Sequence, residues 1–107
     1  MARVFVCQAS ELAEGEARKV DCQPAAVAVF RLASGLFATA DMCSHGNASM
    51  SEGYLEDDGT VECPLHAARF CLTTGRALCL PATDPLPTFA VCEENGAIYV
   101  DVPEGAA

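Results

Sequence analysis

Two short stretches hold the residues of this 107-residue chain best suited to binding a metal. Cys43-Ser44-His45 offers a thiol and an imidazole two residues apart, and Cys63-Pro64-Leu65-His66 offers the same pair three apart. The chain has two histidines, and both are in these stretches. Seventeen residues lie between His45 and Cys63, enough to fold back and bring the two halves together. Structural zinc accepts two Cys and two His in a tetrahedron, but usually pairs Cys with Cys and His with His through short loops. Here both halves are mixed. Mixed halves fit a [2Fe-2S] cluster in which two His replace two Cys on one iron.

Five further cysteines, Cys7, Cys22, Cys71, Cys79 and Cys92, have no His at ligand spacing. They are expected to be small buried hydrophobes with inert thiols. The length fits one domain, residues 1–107, with a modest core. Hydrophobic residues at 51% and charged residues at 20% describe a globular chain. No apolar run reaches the ~20 residues of a membrane span, and the N-terminus lacks the apolar core of a signal peptide. A cytoplasmic protein with reduced cysteines is therefore expected, with no membrane partner. The net charge of −9 argues against nucleic acid, whose binding needs Lys and Arg on phosphates. It favours solubility and steering toward basic protein surfaces.

The elements that must position the ligands read as short strands. Arg3 to Gln8 is a first strand with Val4 and Val6 on one face. Ser10 to Gly15 makes at most one helical turn, with Ser10 placed to cap it and Gly15 to end it. Arg18 to Cys22 is a second strand. Ala25 to Leu32 and Leu36 to Ala40 flank Ala33-Ser34-Gly35 as a hairpin. Asp41 opens the ligand region. Asp57-Asp58-Gly59 turns into a strand at Thr60-Val61-Glu62, and Arg69 to Leu72 is strand-like before a turn at Thr73-Thr74-Gly75. Pro64, Pro81, Pro85 and Pro87 stiffen loops around the site. Thr88 to Cys92 and Ala97 to Val102 flank Asn95-Gly96, which favours a tight hairpin. Frequent Gly and Pro turns with almost no helix signal predict an all-β fold, a sandwich or barrel.

The Cys43-x-His45 and Cys63-Pro64-x-His66 halves closely resemble the ligand motif of the Rieske family. Over nearly its full length the chain is similar to the ferredoxin components of bacterial aromatic-ring-hydroxylating dioxygenases. The likeness is carried by Cys43 to Asp58, Glu62 to Ala68, Cys71-Leu72-x2-Gly75 and Ala77 to Leu86. Within that family it resembles in particular the ferredoxins of 3-phenylpropionate/cinnamate systems.

The resemblance implies a Rieske fold, with an antiparallel β-sandwich basal domain and a small inserted cluster-binding lobe at about residues 41–82. It implies one [2Fe-2S] Rieske cluster, with Cys43 and Cys63 on the inner iron and His45 and His66 on the outer. It implies a monomeric carrier that is not itself an enzyme. Single electrons would pass from an NADH-dependent flavoprotein reductase to a terminal ring-hydroxylating oxygenase. The chain lacks a dinucleotide-binding Gly-x-Gly-x-x-Gly and a second iron site, in keeping with that role.

High-potential relatives carry a disulfide over the cluster, and the matching positions here are Ala48 and Leu65. Those relatives also direct Ser and Tyr hydroxyls at the cluster, where this chain has Ala68 and Phe70. Hydrogen bonds to sulfur favour the reduced, more negative form. Their absence implies a potential near the low end of the Rieske range, about −150 mV. Pro81 is expected in a third loop shielding the cluster, the alternative being an ordinary strand-ending Pro. Gly46 and Gly75 are candidates for turns of positive φ. Arg69 is a candidate ion-pair or partner contact or else a solvated surface residue, and Glu52, Glu56, Asp57 and Asp58 are a candidate acidic docking rim or else a solvated run. Two alternatives stay open at this level: the carrier of another multicomponent oxygenase, and a zinc-bound or cluster-less structural subunit.

Overall fold

The computed structural model describes residues 2–21, 26–43, 48–64, 68–78 and 84–102. In chain order the strands are β1 (Ala2–Gln8), β2 (Ala17–Val20), β3 (Val27–Leu32), β4 (Gly35–Ala40), β5 (Tyr54–Leu55), β6 (Thr60–Glu62), β7 (Arg69–Cys71), β8 (Thr88–Phe89), β9 (Val91–Glu94) and β10 (Ala97–Val102). Helix among the described residues is limited to 3-10 turns at Ala9–Glu11 and Met50–Glu52. The fold is all-β, as expected.

Among the described residues every strand pairing is antiparallel. One sheet has the order β1-β10-β9, a second β2-β3-β4-β8, and a third, smaller sheet β5-β6-β7. Strand β3 joins two cores. Its alternating side chains send Val27 and Val29 into one cluster and Ala28, Phe30 and Leu32 into another. The first cluster packs the two larger sheets together, Val20 and Ala38 meeting Val6, Ile98, Val100 and Val102. Each such aliphatic side chain fully withdrawn from water contributes roughly 1.5–3 kcal/mol. The second cluster holds Cys43 and Cys63, so the sandwich and the ligand region share a strand.

The hairpins formed where their turn residues place them. Leu32 pairs with Gly35 across Ala33-Ser34. Asn95 at φ 52° and Gly96 at φ 79° supply the two positive φ values that a tight hairpin turn of this hand requires. Three details differ from expectation. The 3-10 turn after β1 is capped at Gln8, whose N–H donates to Glu11 Oε1 at 2.8 Å, and Ser10 lies inside it. A bulge between Phe5 and Cys7 turns both Val6 and Cys7 inward. The expected strand Thr88 to Cys92 breaks at Ala90. Its first part pairs with β4 and its second with β10, so the chain changes sheets there. Among the described residues, no helix is long and apolar enough to cross a membrane.

Candidate metal centre

The two ligand stretches grow from hairpin bases of the same design. The Cys43 N–H donates to the Ala48 carbonyl at 2.9 Å, and the Cys63 N–H donates to the Ala68 carbonyl at 2.7 Å. Each bond closes a loop of four intervening residues, 44–47 in the first and 64–67 in the second. One step further out, Met42 pairs with Ser49 and Glu62 pairs with Arg69, both antiparallel. His45 and His66 lie outside the described residues, as do Gly46 and Leu65. By sequence both histidines fall within these closed loops.

Cys43 and Cys63 are 2% and 1% exposed and belong to one apolar cluster with Met50, Val61, Ala68, Phe70, Leu72 and Leu86. Both are thiols, not disulfides. A buried thiolate needs a compensating charge, which a metal supplies. Two buried thiols in one core, each opening a loop that carries an imidazole, fit a mixed Cys and His iron–sulfur site. Among the described residues no three Cys, His, Asp or Glu converge, and the two histidines lie outside that set.

A third segment is fixed at both ends. The Leu78 N–H donates to the Arg69 carbonyl, and the Leu86 N–H to the Gly75 carbonyl, both at 2.7 Å. Gly75 has φ +78°, as expected for a turn, and a Cβ there would fall 2.0 Å from the Leu86 carbonyl oxygen. Only glycine fits. Pro81, the expected shield, lies outside the described residues.

The other cysteines divide. Cys7 is buried, and burial pushes its thiol up from the ordinary range, in line with expectation. Cys71 and Cys92 are only half-buried, so the expectation of buried thiols fails for both. A hydrogen bond with the Thr74 side chain holds the Cys71 thiol below its ordinary range. Cys22 and Cys79 lie outside the described residues. Arg69 forms an ion pair with Glu62 at 3.1 Å, the first of the roles expected for it. Glu52, Glu56, Asp57 and Asp58 are all exposed. Asp58 also caps the start of β6, accepting from the Thr60 hydroxyl at 2.6 Å, which holds its carboxyl below the usual range. Tyr54, Met42 and Leu78 are large exposed apolar side chains that sequence reasoning left unremarked.

Comparison with known proteins agrees with this geometry. Residues 2–90 match the family model described as the Rieske [2Fe-2S] domain. The chain is 59% identical over 104 residues to the 3-phenylpropionate/cinnamic acid dioxygenase ferredoxin subunit of Escherichia coli K12, covering 97% of each. Among solved structures it is similar to a chain in the complex of reduced oxygenase and oxidized ferredoxin in carbazole 1,9a-dioxygenase. That match has a TM-score of 0.86 at 39% identity, over 92% of this chain and 91% of the other. The Sphingomonas yanoikuyae B1 ferredoxin gives a TM-score of 0.86 at 32% identity, over 95% of this chain and all of that one. With two buried cysteines on matching hairpin bases and a family match across most of its length, the chain belongs to the Rieske [2Fe-2S] domain family and takes one such cluster.

Proposed function

We propose that Cys43, His45, Cys63 and His66 hold the cluster, and that the chain delivers single electrons to the terminal oxygenase of an aromatic-ring dioxygenase of the 3-phenylpropionate/cinnamate type. The observation that carries this is the pair of equivalent loop closures, Cys43 on Ala48 and Cys63 on Ala68. Bound there, the cluster supplies a reversible one-electron step. The chain's own residues do the rest. The apolar shell of Met50, Val61, Phe70 and Leu72 limits water on the cysteine side, and the bonds to Ala48 and Ala68 fix the backbone at Cys43 and Cys63. The relatives are named as ferredoxin subunits, which makes this an electron-transfer component, with ring oxidation performed elsewhere.

The same reading makes an NADH-dependent flavoprotein reductase the electron donor and the cytoplasm the compartment. It takes residues 1–107 as one monomeric domain with a ligand-bearing lobe at about 41–82. Support for the lobe is that Cys43, Cys63 and strands β5, β6 and β7 fall inside that range, and that the three strands form their own sheet. The test is reconstitution. Purified chain, a candidate reductase, NADH and candidate oxygenases are mixed, and NADH consumption is followed alongside ring oxidation. Turnover that requires the chain supports the proposal. A chain that is reduced but sustains no ring oxidation with any dioxygenase, while serving a diiron monooxygenase, overturns the oxygenase assignment.

A further inference from the structure

Asp41 lies two residues before Cys43 and is 4% exposed, one of few buried polar side chains among the described residues. Both of its carboxylate oxygens accept a hydrogen bond. Oδ2 accepts from the Ser49 hydroxyl at 2.7 Å, and Oδ1 accepts from the Ser51 N–H at 3.0 Å. The Ser49 and Ser51 hydroxyls are 2.9 Å apart. A carboxylate only accepts, so the single Ser49 hydrogen goes to Asp41. The Ser51 hydroxyl must then donate to Ser49. The result is a closed ring in which Ser51 hydroxyl donates to Ser49, Ser49 to Oδ2, and Ser51 N–H to Oδ1.

The backbone of Asp41 is tied as well. Its N–H donates to the Ala26 carbonyl at 3.0 Å, and its carbonyl accepts from the Met50 N–H at 2.6 Å. Ser49 is also the residue that pairs with Met42, just outside the bond closing Cys43 on Ala48. The second cysteine loop has its side-chain clasp at the corresponding place, the half-exposed Glu62–Arg69 ion pair. The first loop uses a buried carboxylate instead. Hydrogen bonds to a carboxylate are stronger than those between neutral groups.

We propose that Asp41 is a positioning residue for the cluster: through Ser49 and Ser51 it locks together the chain that leads into Cys43 and the chain that follows Ala48, the two ends of the stretch that contains His45 in sequence. The inference rests on the ligand reading given above. Asp41 acts through the loop, and what it contributes is the fixed exit geometry of Cys43.

The experiment compares wild type with Asp41→Ala, Asp41→Asn, Ser49→Ala and, in parallel, His45→Ala. It reads the EPR spectrum of the reduced protein, the reduction potential, and the rate of iron release to an excess of chelator. Asp41→Ala should shift or broaden the EPR signal and speed iron release about tenfold or more, the size of effect typical of groups that support metal ligands. Ser49→Ala should change both in the same direction by less. Asp41→Asn should largely restore the spectrum and iron retention. Its amide oxygen still accepts from Ser51 N–H, and its amide nitrogen donates to Ser49 once that hydroxyl turns round. If Asp41→Ala fails to fold by circular dichroism, Ser49→Ala and Asp41→Asn decide by the same criteria. Wild-type spectra and iron retention in Asp41→Ala and Ser49→Ala overturn the lock, as does an Asn variant as impaired as Ala. His45→Ala separates the two readings. If it keeps the Rieske signal, the ligand assignment fails and the lock with it. If it loses the signal while Asp41→Ala is unaffected, only the lock fails.

Discussion

Glu62 and Arg69 face each other across β6 and β7, carboxylate to guanidinium at 3.1 Å, one residue outside the bond that closes Cys63 on Ala68. The pair is a clasp in the right place but in a wet setting. The Arg69 side chain is 43% exposed and that of Glu62 26%. Solvent-exposed ion pairs contribute about 0.2–1 kcal/mol and are screened by salt. Arg69→Gln should therefore lower unfolding stability by less than about 1 kcal/mol, with the difference shrinking as salt is raised. Urea titrations at low and high ionic strength measure this. A salt-independent loss of several kcal/mol would show that Arg69 supports the loop by some other contact.

Replacing His45 or His66 by Ala should abolish the Rieske EPR signal. These are the chain's two histidines, and each follows a buried cysteine within a loop closed by the same backbone bond. Replacement of Cys7, Cys22, Cys71, Cys79 or Cys92 by Ser should leave the signal in place. Loss of iron from one of those five variants, with the fold intact, would show the ligand count to be wrong.

Cys71 is the thiol to watch as pH changes. The Thr74 side-chain hydrogen bond favours its thiolate, so at a given pH more of it is charged than for an ordinary cysteine. Cys7 is displaced the opposite way by burial. Alkylation of native protein should thus label Cys71 well before Cys7. Its rate should begin to rise at a lower pH than that of a cysteine in a model peptide, ordinarily about 8.5. Thr74→Val should move the Cys71 profile to higher pH and leave that of Cys7 alone. Mass mapping of labelled peptides across a pH series gives both profiles, and an unmoved profile in the Val variant would remove Thr74 as the cause.

What the sequence disclosed and what it hid have physical reasons. The family was legible because iron–sulfur ligation restricts residue types to a few that stand out at fixed spacing, and the Cys-x-His and Cys-x2-His halves carry that pattern. The Asn95-Gly96 turn was legible because two successive positive φ values are easy for few residues. The break at Ala90 was not, because Thr88 to Cys92 is locally a good strand. Only the positions of β4 and β10 divide it. The same holds for the bulge at Val6, which exists relative to Tyr99 and Ile98 on the partner strand. The double role of β3 was half visible. Ala25 to Leu32 read as one arm of a hairpin, but that both of its faces are buried, and which one meets the cysteines, depends on the packing of three sheets. The Asp41 ring was invisible because Asp, Ser and Ser separated by eight and two residues form one network only after the loop has closed.

Ala68→Ser and Phe70→Tyr should each raise the reduction potential. Both residues are 0% exposed and share the cluster of side chains that contains Cys43 and Cys63. A hydroxyl introduced at either place cannot turn to water. It must find an acceptor in that core, and the Rieske resemblance makes sulfur the acceptor. A hydrogen bond to sulfur favours the more negative, reduced form. About 1 kcal/mol of preference for that form corresponds to roughly 40 mV in a one-electron couple. The double variant should shift upward by about that amount or more, and its slower donation to the oxygenase should lower turnover. The buried setting adds a second readout. A hydroxyl left without a partner costs about 1–3 kcal/mol of stability. A raised potential with stability preserved therefore means that the hydroxyls reach sulfur. An unshifted potential with stability lost means that they point elsewhere, and that charge or solvent access sets the potential instead of missing donors.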